Sequence, residues 1–244
     1  MKGLTALWLL LRGTAHVLGG WWTVRTAFPR LTPAERQTRV QQWARTLLRL
    51  WRVDLQVHGQ PPRQGPVLLV ANHISWLDIL VLHAAGFCRF VSKAEVHHWP
   101  LIGPLATAAG TLYIERASPR DALRVVHHMR DALQRGEVLA VFPEGTTSDG
   151  RSLLPFHANL IQAAISAQAP VQPVALQFID QASGQPSTAP MYVDDQTLLG
   201  SVWRTLTTPG ICAVLRYGAP QHAEGRERRA WAAELRQQVM ALRD

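Results

Sequence analysis

After residue 52 the chain alternates short apolar runs with segments of helical periodicity, and this pattern is typical of an α/β domain. The apolar runs predict strands at 53–58, 66–71, 87–92, 111–115, 137–142, 171–178 and 211–217. A chain of 244 residues is long enough to build one such domain with a substantial core. We therefore predict a single mixed-sheet α/β domain flanked by helices.

Positive charge is concentrated at the amino end of the chain. Residues 1–52 hold nine lysines and arginines and one acidic residue, whereas the remaining 192 residues hold sixteen of each sign. Five of the nine tryptophans also lie in residues 1–52. The whole net charge of +8 therefore belongs to this stretch, and we divide the chain into an N-terminal attachment, 1–52, and an α/β domain, 53–244.

The attachment is predicted to be a pair of helices. In the first, at about 4–24, one face collects large apolar residues: Leu4, Leu7, Leu11, Leu18 and Trp22. A narrower stripe on another side of this helix is polar and includes Arg12 and His16. This stripe favours a helix lying in the plane of a membrane over a spanning helix or an ordinary core helix. Thr32 and Pro33 predict the cap and first position of the second helix, which runs to about residue 52.

Tryptophans interleaved with arginines suit an anionic membrane surface, so we expect this helix pair to be membrane-associating. A solvated helix pair packed on the domain is the structural alternative. Nucleic-acid binding is a weaker alternative, because no nucleic-acid motif follows the basic stretch. The two cysteines, Cys88 and Cys212, have neither disulfide-framework nor metal-ligand spacing and are expected to be buried thiols.

Two regions outside these patterns are predicted to be peripheral. Residues 180–201 contain serine, glycine, proline and a paired aspartate, and are expected to form a surface excursion. The last helix, at about 224–243, is charged on most sides and is expected to pack at the edge of the domain.

The principal candidate site follows the predicted strand 66–71. His73 comes just after this strand and Asp78 falls in the first turn of the next helix. In open α/β sheets ligands bind at the carboxyl ends of strands. Asp78 could accept a hydrogen bond from one imidazole nitrogen of His73 and leave the other nitrogen as a base. A capped helix beside a surface histidine is the structural alternative if this pair stands alone.

Further polar residues follow other strands. Glu144 and Gly145, with Thr146, turn the chain after strand 137–142, and glycine permits close approach of the backbone. Arg116 comes after strand 111–115, where a guanidinium can hold an anionic head group. Lys93 follows strand 87–92 and is a second candidate for the anion, although a solvated lysine is equally expected.

The runs at 72–78, 111–116 and 142–146, with a further run at 169–175 that leads into the strand 171–178, form four blocks. In this order and spacing the blocks resemble the glycerolipid acyltransferase family, specifically its bacterial 1-acylglycerol-3-phosphate acyltransferase branch, over about residues 65–176. The resemblance implies that His73 is the general base and Asp78 its orienter. It implies that Lys93 and Arg116 contact phosphate. Glu144, Gly145 and Thr146 match the acceptor-binding block of the family.

The resemblance also implies the reaction. A fatty acyl group passes from acyl-coenzyme A (acyl-CoA) or acyl carrier protein (acyl-ACP) to the free hydroxyl of 1-acylglycerol-3-phosphate (lysophosphatidate), giving phosphatidate for phospholipid biosynthesis. It implies the glycerolipid acyltransferase fold with no bound cofactor and no metal. The protein would lie at the inner (cytoplasmic) membrane, with its active site facing the cytoplasm.

One departure leaves the acceptor open. The family's third block commonly has an arginine after its first threonine, and this chain has Thr147 there. Enzymes that acylate lyso-ornithine lipid share all the blocks, so this acceptor is the alternative to lysophosphatidate. A non-catalytic lipid-binding or membrane-scaffold protein is the alternative from another class. A thioesterase, with water as acceptor, is a third possibility.

Overall fold

The computed structural model describes residues 2–114, 119–193 and 196–243. Helices in these ranges are α1 (Lys2–Thr26), α2 (Pro33–Leu50), α3 (Leu77–Ala85), α4 (Ile102–Ala108), α5 (Pro119–Gln134), α6 (Ala158–Ala167), α7 (Leu198–Thr207) and α8 (Arg228–Ala241). Strands are β1 (Asp54–His58), β2 (Val67–Ala71), β3 (Arg89–Lys93), β4 (Leu112–Ile114), β5 (Val138–Val141), β6 (Val171–Asp180) and β7 (Ile211–Tyr217). Each predicted strand is therefore present.

The strands in the described part of the chain form one mixed sheet with the order β1-β7-β6-β2-β5-β3-β4. From β6 to β4 all neighbouring strands are parallel, and only the β6–β7 pair is antiparallel. The carboxyl ends of β2, β3, β4, β5 and β6 therefore lie along the same edge of the sheet. The fold prediction of a mixed-sheet α/β domain flanked by helices is confirmed.

Both faces of the sheet are covered by helices. Successive residues of the central strand β2 point to opposite sides and show which helices lie on each face. Leu69 and Ala71 belong to a buried cluster that also contains Leu47 of α2 and Leu77 of α3. Leu68 and Val70 belong to the cluster formed with residues of α5, α6 and α8. This three-layer arrangement explains why β2 is an unbroken apolar run that is buried throughout.

The helix pair at the amino end is held together by one tryptophan of α2 and by the tryptophan that caps its carboxyl end, which lie against glycines of α1. A side chain at Gly13 would lie 2.2 Å from the indole nitrogen of Trp51, and one at Gly20 would lie 2.4 Å from that of Trp43. The ring of His16 stacks on Trp43 with centroids 5.3 Å apart. A larger residue at either glycine would force the facing tryptophan side chain or the helix itself to shift. Thr32 forms the predicted cap of α2, within a capping box with Glu35.

The predicted apolar face of α1 points away from the protein. Its exposed large side chains are Leu4, Leu7, Trp8, Leu11, Leu18 and Trp22, whereas Ala6 and Leu9 on the other side are buried in the core. Within the described residues, no helix combines the length and the hydropathy needed to cross a membrane.

Two sequence-based predictions of peripheral segments need correction. Residues 180–201 are not only a surface excursion: α7 begins at Leu198, and Ala189 is buried in the core. The last helix, α8, is not merely an edge element, because it packs against α6 and β6 and its residues Trp231 and Leu235 are fully buried. The buried residues of α8 recur at four-residue spacing, so the sequence does carry this signal although charged residues surround it, whereas the isolated Ala189 gives no such signal.

Candidate active site

The loop between β2 and α3 is fixed at its start by Asn72. The amide nitrogen of this buried side chain donates to the carbonyl oxygen of Leu176 at 2.9 Å, and its amide oxygen accepts from the Leu176 N–H at 2.7 Å. The side chain thus pairs with strand β6 as a backbone unit would. Because Asn72 is anchored to the sheet, the next residue, His73, leaves the strand end in a defined direction.

One carboxylate oxygen of Asp78 accepts three hydrogen bonds from the loop between β2 and α3. This oxygen, Oδ2, accepts hydrogen bonds from His73 Nδ1 at 2.8 Å, from the Ile74 N–H at 2.7 Å and from the Ser75 N–H at 2.9 Å. The side chain is fully buried, and Oδ1 has no hydrogen-bond partner in the described part of the chain. Asp78 also lies in the first turn of α3, where the helix dipole favours negative charge.

This bond sets the protonation geometry of His73. With Nδ1–H donating to the carboxylate, Nε2 carries the lone pair and can accept a proton. The imidazole stacks on Phe142, which follows β5, with ring centroids 4.0 Å apart and planes inclined by only 8°. Its side chain is 18% exposed, so the ring is held firmly but remains accessible. The predicted base and orienter are therefore in direct contact.

Glu144 connects the loop of His73 with the segment that follows β5. Its Oε1 accepts from the backbone N–H of His73 at 2.8 Å, and its Oε2 accepts from the backbone N–H of Leu154 at 2.8 Å. Burial raises the pKa of this carboxyl, while the two backbone hydrogen bonds partly oppose the rise. One oxygen thus positions the loop of His73, and the other holds the segment between β5 and α6 at Leu154. Direct binding of the acceptor by Glu144 stays a prediction.

The turn after Glu144 needs a glycine. Gly145 has φ of +75°, a left-handed conformation that is costly for other residues, and its N–H donates to the Phe142 carbonyl at 3.1 Å. The neighbouring Thr146 is exposed to solvent. These residues lie next to Glu144 as predicted, at the same edge of the sheet as His73.

The two predicted anion-binding residues are placed differently. Lys93 is the last residue of β3, which pairs with β5 in parallel, and it is exposed at the edge where the other predicted residues lie. No hydrogen bond or ion pair joins it to His73, Asp78 or Glu144. Arg116 lies outside the described residues.

A wall of the site comes from residues that the sequence patterns did not indicate. The backbone N–H of Tyr192 donates to the Ile74 carbonyl at 3.1 Å, and the Thr147 hydroxyl donates to the carbonyl of Tyr192. Trp76 donates from its indole nitrogen to the hydroxyl of Ser201 in α7 at 3.1 Å. The chain before α7 and α7 itself are therefore attached to the loop of His73. No motif or periodicity could have predicted these contacts.

An apolar cavity of about 550 Å³ lies behind the site, between α1, α2, α3, α4 and β3. Phe90 of β3 lines it and also stacks on Phe142, whose ring contacts His73. A larger depression of about 1660 Å³ lies next to the amino ends of β2, β3 and β5 and contains none of the predicted site residues. The chemistry of the loops, and not cavity size, therefore locates the site.

Comparisons with known proteins agree with this geometry. The acyltransferase family model matches residues 54–177. Over 224 residues the chain is 37% identical to the lyso-ornithine lipid O-acyltransferase of Pseudomonas aeruginosa, covering 91% of this chain and 85% of that protein. Over 164 residues it is 40% identical to the 1-acyl-sn-glycerol-3-phosphate acyltransferase of Neisseria meningitidis serogroup B, covering 66% and 64%.

The fold is also found in a solved structure. The crystal structure of the 1-acyl-sn-glycerophosphate acyltransferase of Thermotoga maritima superposes with a TM-score of 0.71 at 21% identity, covering 100% of this chain and 98% of the other. The match with the family model and the similarity to these relatives confirm the resemblance inferred from the four blocks. This chain is a member of the acyltransferase family.

Proposed function

We propose that the protein is a membrane-bound O-acyltransferase that moves a fatty acyl group from a thioester donor, acyl-CoA or acyl-ACP, to the hydroxyl of a lysolipid. The observation that carries this proposal is the contact between His73 Nδ1 and Asp78 Oδ2 at a strand end, with Nε2 left as a base. A general base of this kind contributes about 10²–10⁴-fold to the rate.

The transfer is direct. His73 Nε2 takes the proton of the acceptor hydroxyl as the oxygen adds to the thioester carbonyl carbon. The carbon–sulfur bond then breaks, the carbonyl re-forms, and the leaving thiolate takes the proton from the imidazolium. Asp78 is not protonated in this sequence; its charge stabilises the imidazolium that forms at His73.

The surroundings of His73 fit direct attack better than an acyl-enzyme. Ser75 is buried and its hydroxyl accepts from the Leu77 N–H, while the hydroxyl of Ser148 donates to the His73 carbonyl. In the parts of the chain that the structure covers, no serine or cysteine side chain bonds the imidazole of His73. The nucleophile is therefore assigned to the substrate.

The apolar cavity behind Phe90 suits the acyl chain of the donor. Its volume of about 550 Å³ falls in the range of small-molecule binding pockets. Stacking of Phe90 on Phe142 and of Phe142 on His73 brings the cavity wall up to the base. A chain lying there would place its thioester beside His73.

Lyso-ornithine lipid is the acceptor we favour, and lysophosphatidate, the first choice from sequence alone, is the second candidate. Thr147 stands where the family's third block commonly has an arginine, and its hydroxyl is engaged by the Tyr192 carbonyl. The Pseudomonas relative, aligned over 85% of its length, is named for lyso-ornithine lipid. The similarity to the Neisseria relative, which is named for 1-acyl-sn-glycerol-3-phosphate, supports lysophosphatidate as the second candidate.

The deciding experiment offers the protein, in liposomes, labelled acyl-CoA or acyl-ACP with either lysolipid or with none. Labelled ornithine lipid would support the first acceptor, and labelled phosphatidate the second. Free fatty acid released without a lysolipid would instead show a thioesterase. If product formation with both donors is no higher than that of the His73→Ala protein, the protein is not a catalyst, and this result would favour a lipid-binding protein. Thr147→Arg should shift the product ratio towards phosphatidate if the missing arginine selects the head group.

Membrane attachment is proposed to involve both α1 and α7. Leu199 and Trp203 of α7 are exposed, and α7 packs against α1, whose outward face is apolar. On α1, Arg12 lies over the ring of Trp8 at 4.3 Å and Arg25 over that of Trp21 at 4.5 Å, a pairing suited to an anionic interface. We assign this surface to the cytoplasmic face of the inner membrane.

Vesicle flotation tests the attachment. Leu11→Ser and Trp203→Ala should each weaken binding to anionic vesicles about 5- to 30-fold, since each removes apolar area from the lipid contact. Leu123→Ser is the matched control: Leu123 is exposed on α5, across the sheet from α1. Equal losses in all three variants, or none in the first two, would contradict the proposed surface.

A further inference from the structure

The wall of the apolar cavity carries a histidine that the proposed reaction does not use. His83 lies in the last turn of α3 and is only 5% exposed. Its ring meets Phe90 edge-on, with centroids 4.9 Å apart, and lies 6.0 Å from Phe87. A polar ring is therefore held by aromatic neighbours inside a space otherwise suited to a hydrocarbon chain.

The polar atoms of this ring are not satisfied by the protein. Nδ1 of His83 is buried without a hydrogen-bond partner, and no bond to the other nitrogen is made by any described residue. Burial lowers the pKa of His83 to about 4, so at neutral pH the ring is uncharged, with one N–H donor and one acceptor nitrogen. An unsatisfied buried polar group costs stability, which calls for an explanation in terms of function.

The position of His83 relates it to the acyl chain. Three successive ring contacts, His73 to Phe142, Phe142 to Phe90 and Phe90 to His83, join the base to this histidine. A chain whose thioester lies at His73 and whose tail fills the cavity would pass the imidazole some way along its length. The ring would then face the middle of the chain and not its reacting end.

We propose that His83 hydrogen-bonds a hydroxyl group carried within the fatty acyl chain of the donor, so that the cavity selects hydroxylated over unsubstituted chains. This inference rests on the proposed acyl transfer. A hydroxyl is the chemical match because it can accept from the N–H of a neutral imidazole or donate to its bare nitrogen. A neutral imidazole offers no opposite charge to a carboxylate or an amine, so an uncharged hydroxyl suits this nitrogen better than a charged group.

The test compares unsubstituted acyl-CoA with a series of acyl-CoA donors that carry one hydroxyl at successive positions of a chain of the same length. The readout is the ratio of kcat/KM for hydroxylated over unsubstituted donor. We expect one position at which the wild-type ratio rises about 10- to 100-fold, the gain typical of pairing a buried polar group. His83→Phe should abolish this rise, because phenylalanine keeps an aromatic ring but has no nitrogen.

Two further variants separate hydrogen bonding from shape. His83→Gln restores a donor and an acceptor and should recover part of the ratio. Ser92→Ala removes another polar group of the same cavity, on β3, and should leave the ratio as in wild type. A flat ratio in the wild type, or a preference that survives in His83→Phe, would overturn the inference.

A binding measurement distinguishes failure of this inference from failure of the proposed function. Non-hydrolysable thioether analogues of the same donors are titrated against wild type and His83→Phe by calorimetry. Tighter binding of the hydroxylated analogue by wild type alone would uphold the role of His83 even if no lysolipid were acylated. Equal binding of both analogues by wild type would refute that role even in an active acyltransferase.

Discussion

Replacing Asp78 with asparagine would separate the charge of this residue from its geometry. One oxygen, Oδ2, accepts all three hydrogen bonds of the loop, from His73, Ile74 and Ser75, while Oδ1 is buried without a partner in the described residues. The single carbonyl oxygen of asparagine can therefore take the place of Oδ2. Asp78→Asn should keep the loop and the tautomer of His73 and remove the negative charge, while its NH₂ group takes the buried position of Oδ1 without an acceptor.

The expected effect on the rate follows from that charge. At an effective dielectric constant of about 20, unit charges about 4 Å apart interact by about 4 kcal/mol, which is an upper value for the stabilisation of the imidazolium. The difference between a charge-assisted and a neutral hydrogen bond, about 1.5 kcal/mol, is a lower value. The corresponding fall in kcat for Asp78→Asn is about tenfold to about a thousandfold.

The assay measures thiol release from acyl-CoA at saturating lysolipid, together with thermal unfolding. Asp78→Ala is the comparison, because it leaves three N–H groups without an acceptor and should unfold at a clearly lower temperature than Asp78→Asn. A kcat for Asp78→Asn within about threefold of wild type would refute the electrostatic role. Equal destabilisation of the two variants would refute the inference that one oxygen suffices for the loop.

Three further substitutions test the other assigned residues. His73→Ala should lower kcat by about 10²–10⁴-fold with unchanged circular dichroism, and near-normal turnover would exclude it as the base. Glu144→Gln replaces one of two acceptor oxygens by an NH₂ group, so the backbone N–H of either His73 or Leu154 loses its partner. The free energy of unfolding of Glu144→Gln, measured in denaturant, should fall by about 1–3 kcal/mol. A Glu144→Gln protein as stable as wild type would show that Glu144 does not stabilise these two backbone groups. Arg116→Ala should raise the KM of the acceptor more than that of the donor, and an unchanged acceptor KM would make Arg116 structural.

The fold was predictable because its main features depend on local sequence patterns, such as apolar runs and helix caps. An apolar run such as 67–71 is buried on both faces of the sheet, and its position in the middle of the sheet follows from that burial. The cap of α2 at Thr32 was predictable because capping depends on residues three positions apart. The burial of Trp231 was missed because charged residues are interspersed along α8, although Trp231, Leu235 and Val239 recur every four residues and form its buried face.

The site was predictable only in part. His73 and Asp78 are five positions apart in the chain, so their contact depends on one short loop. The partners of Glu144 and Thr147 are backbone groups at Leu154 and Tyr192, and any residue type offers a backbone group there. The missing partner of His83 is likewise a property of the assembled cavity and has no counterpart in sequence.

One helix, α7, connects the exposed apolar surface with the loop of His73. Trp203 of α7 is exposed on that surface, whereas Ser201, two residues earlier, accepts a hydrogen bond from Trp76 in the loop of His73. Arg204 donates from Nε to the Ala189 carbonyl at 2.9 Å and so ties α7 to the chain that forms the wall of the site. If this surface contacts the membrane as proposed, α7 cannot shift on insertion without moving both the loop and the wall. Weaker vesicle binding by Trp203→Ala should therefore come with a lower kcat on vesicle-bound substrate, and not only with a higher apparent KM.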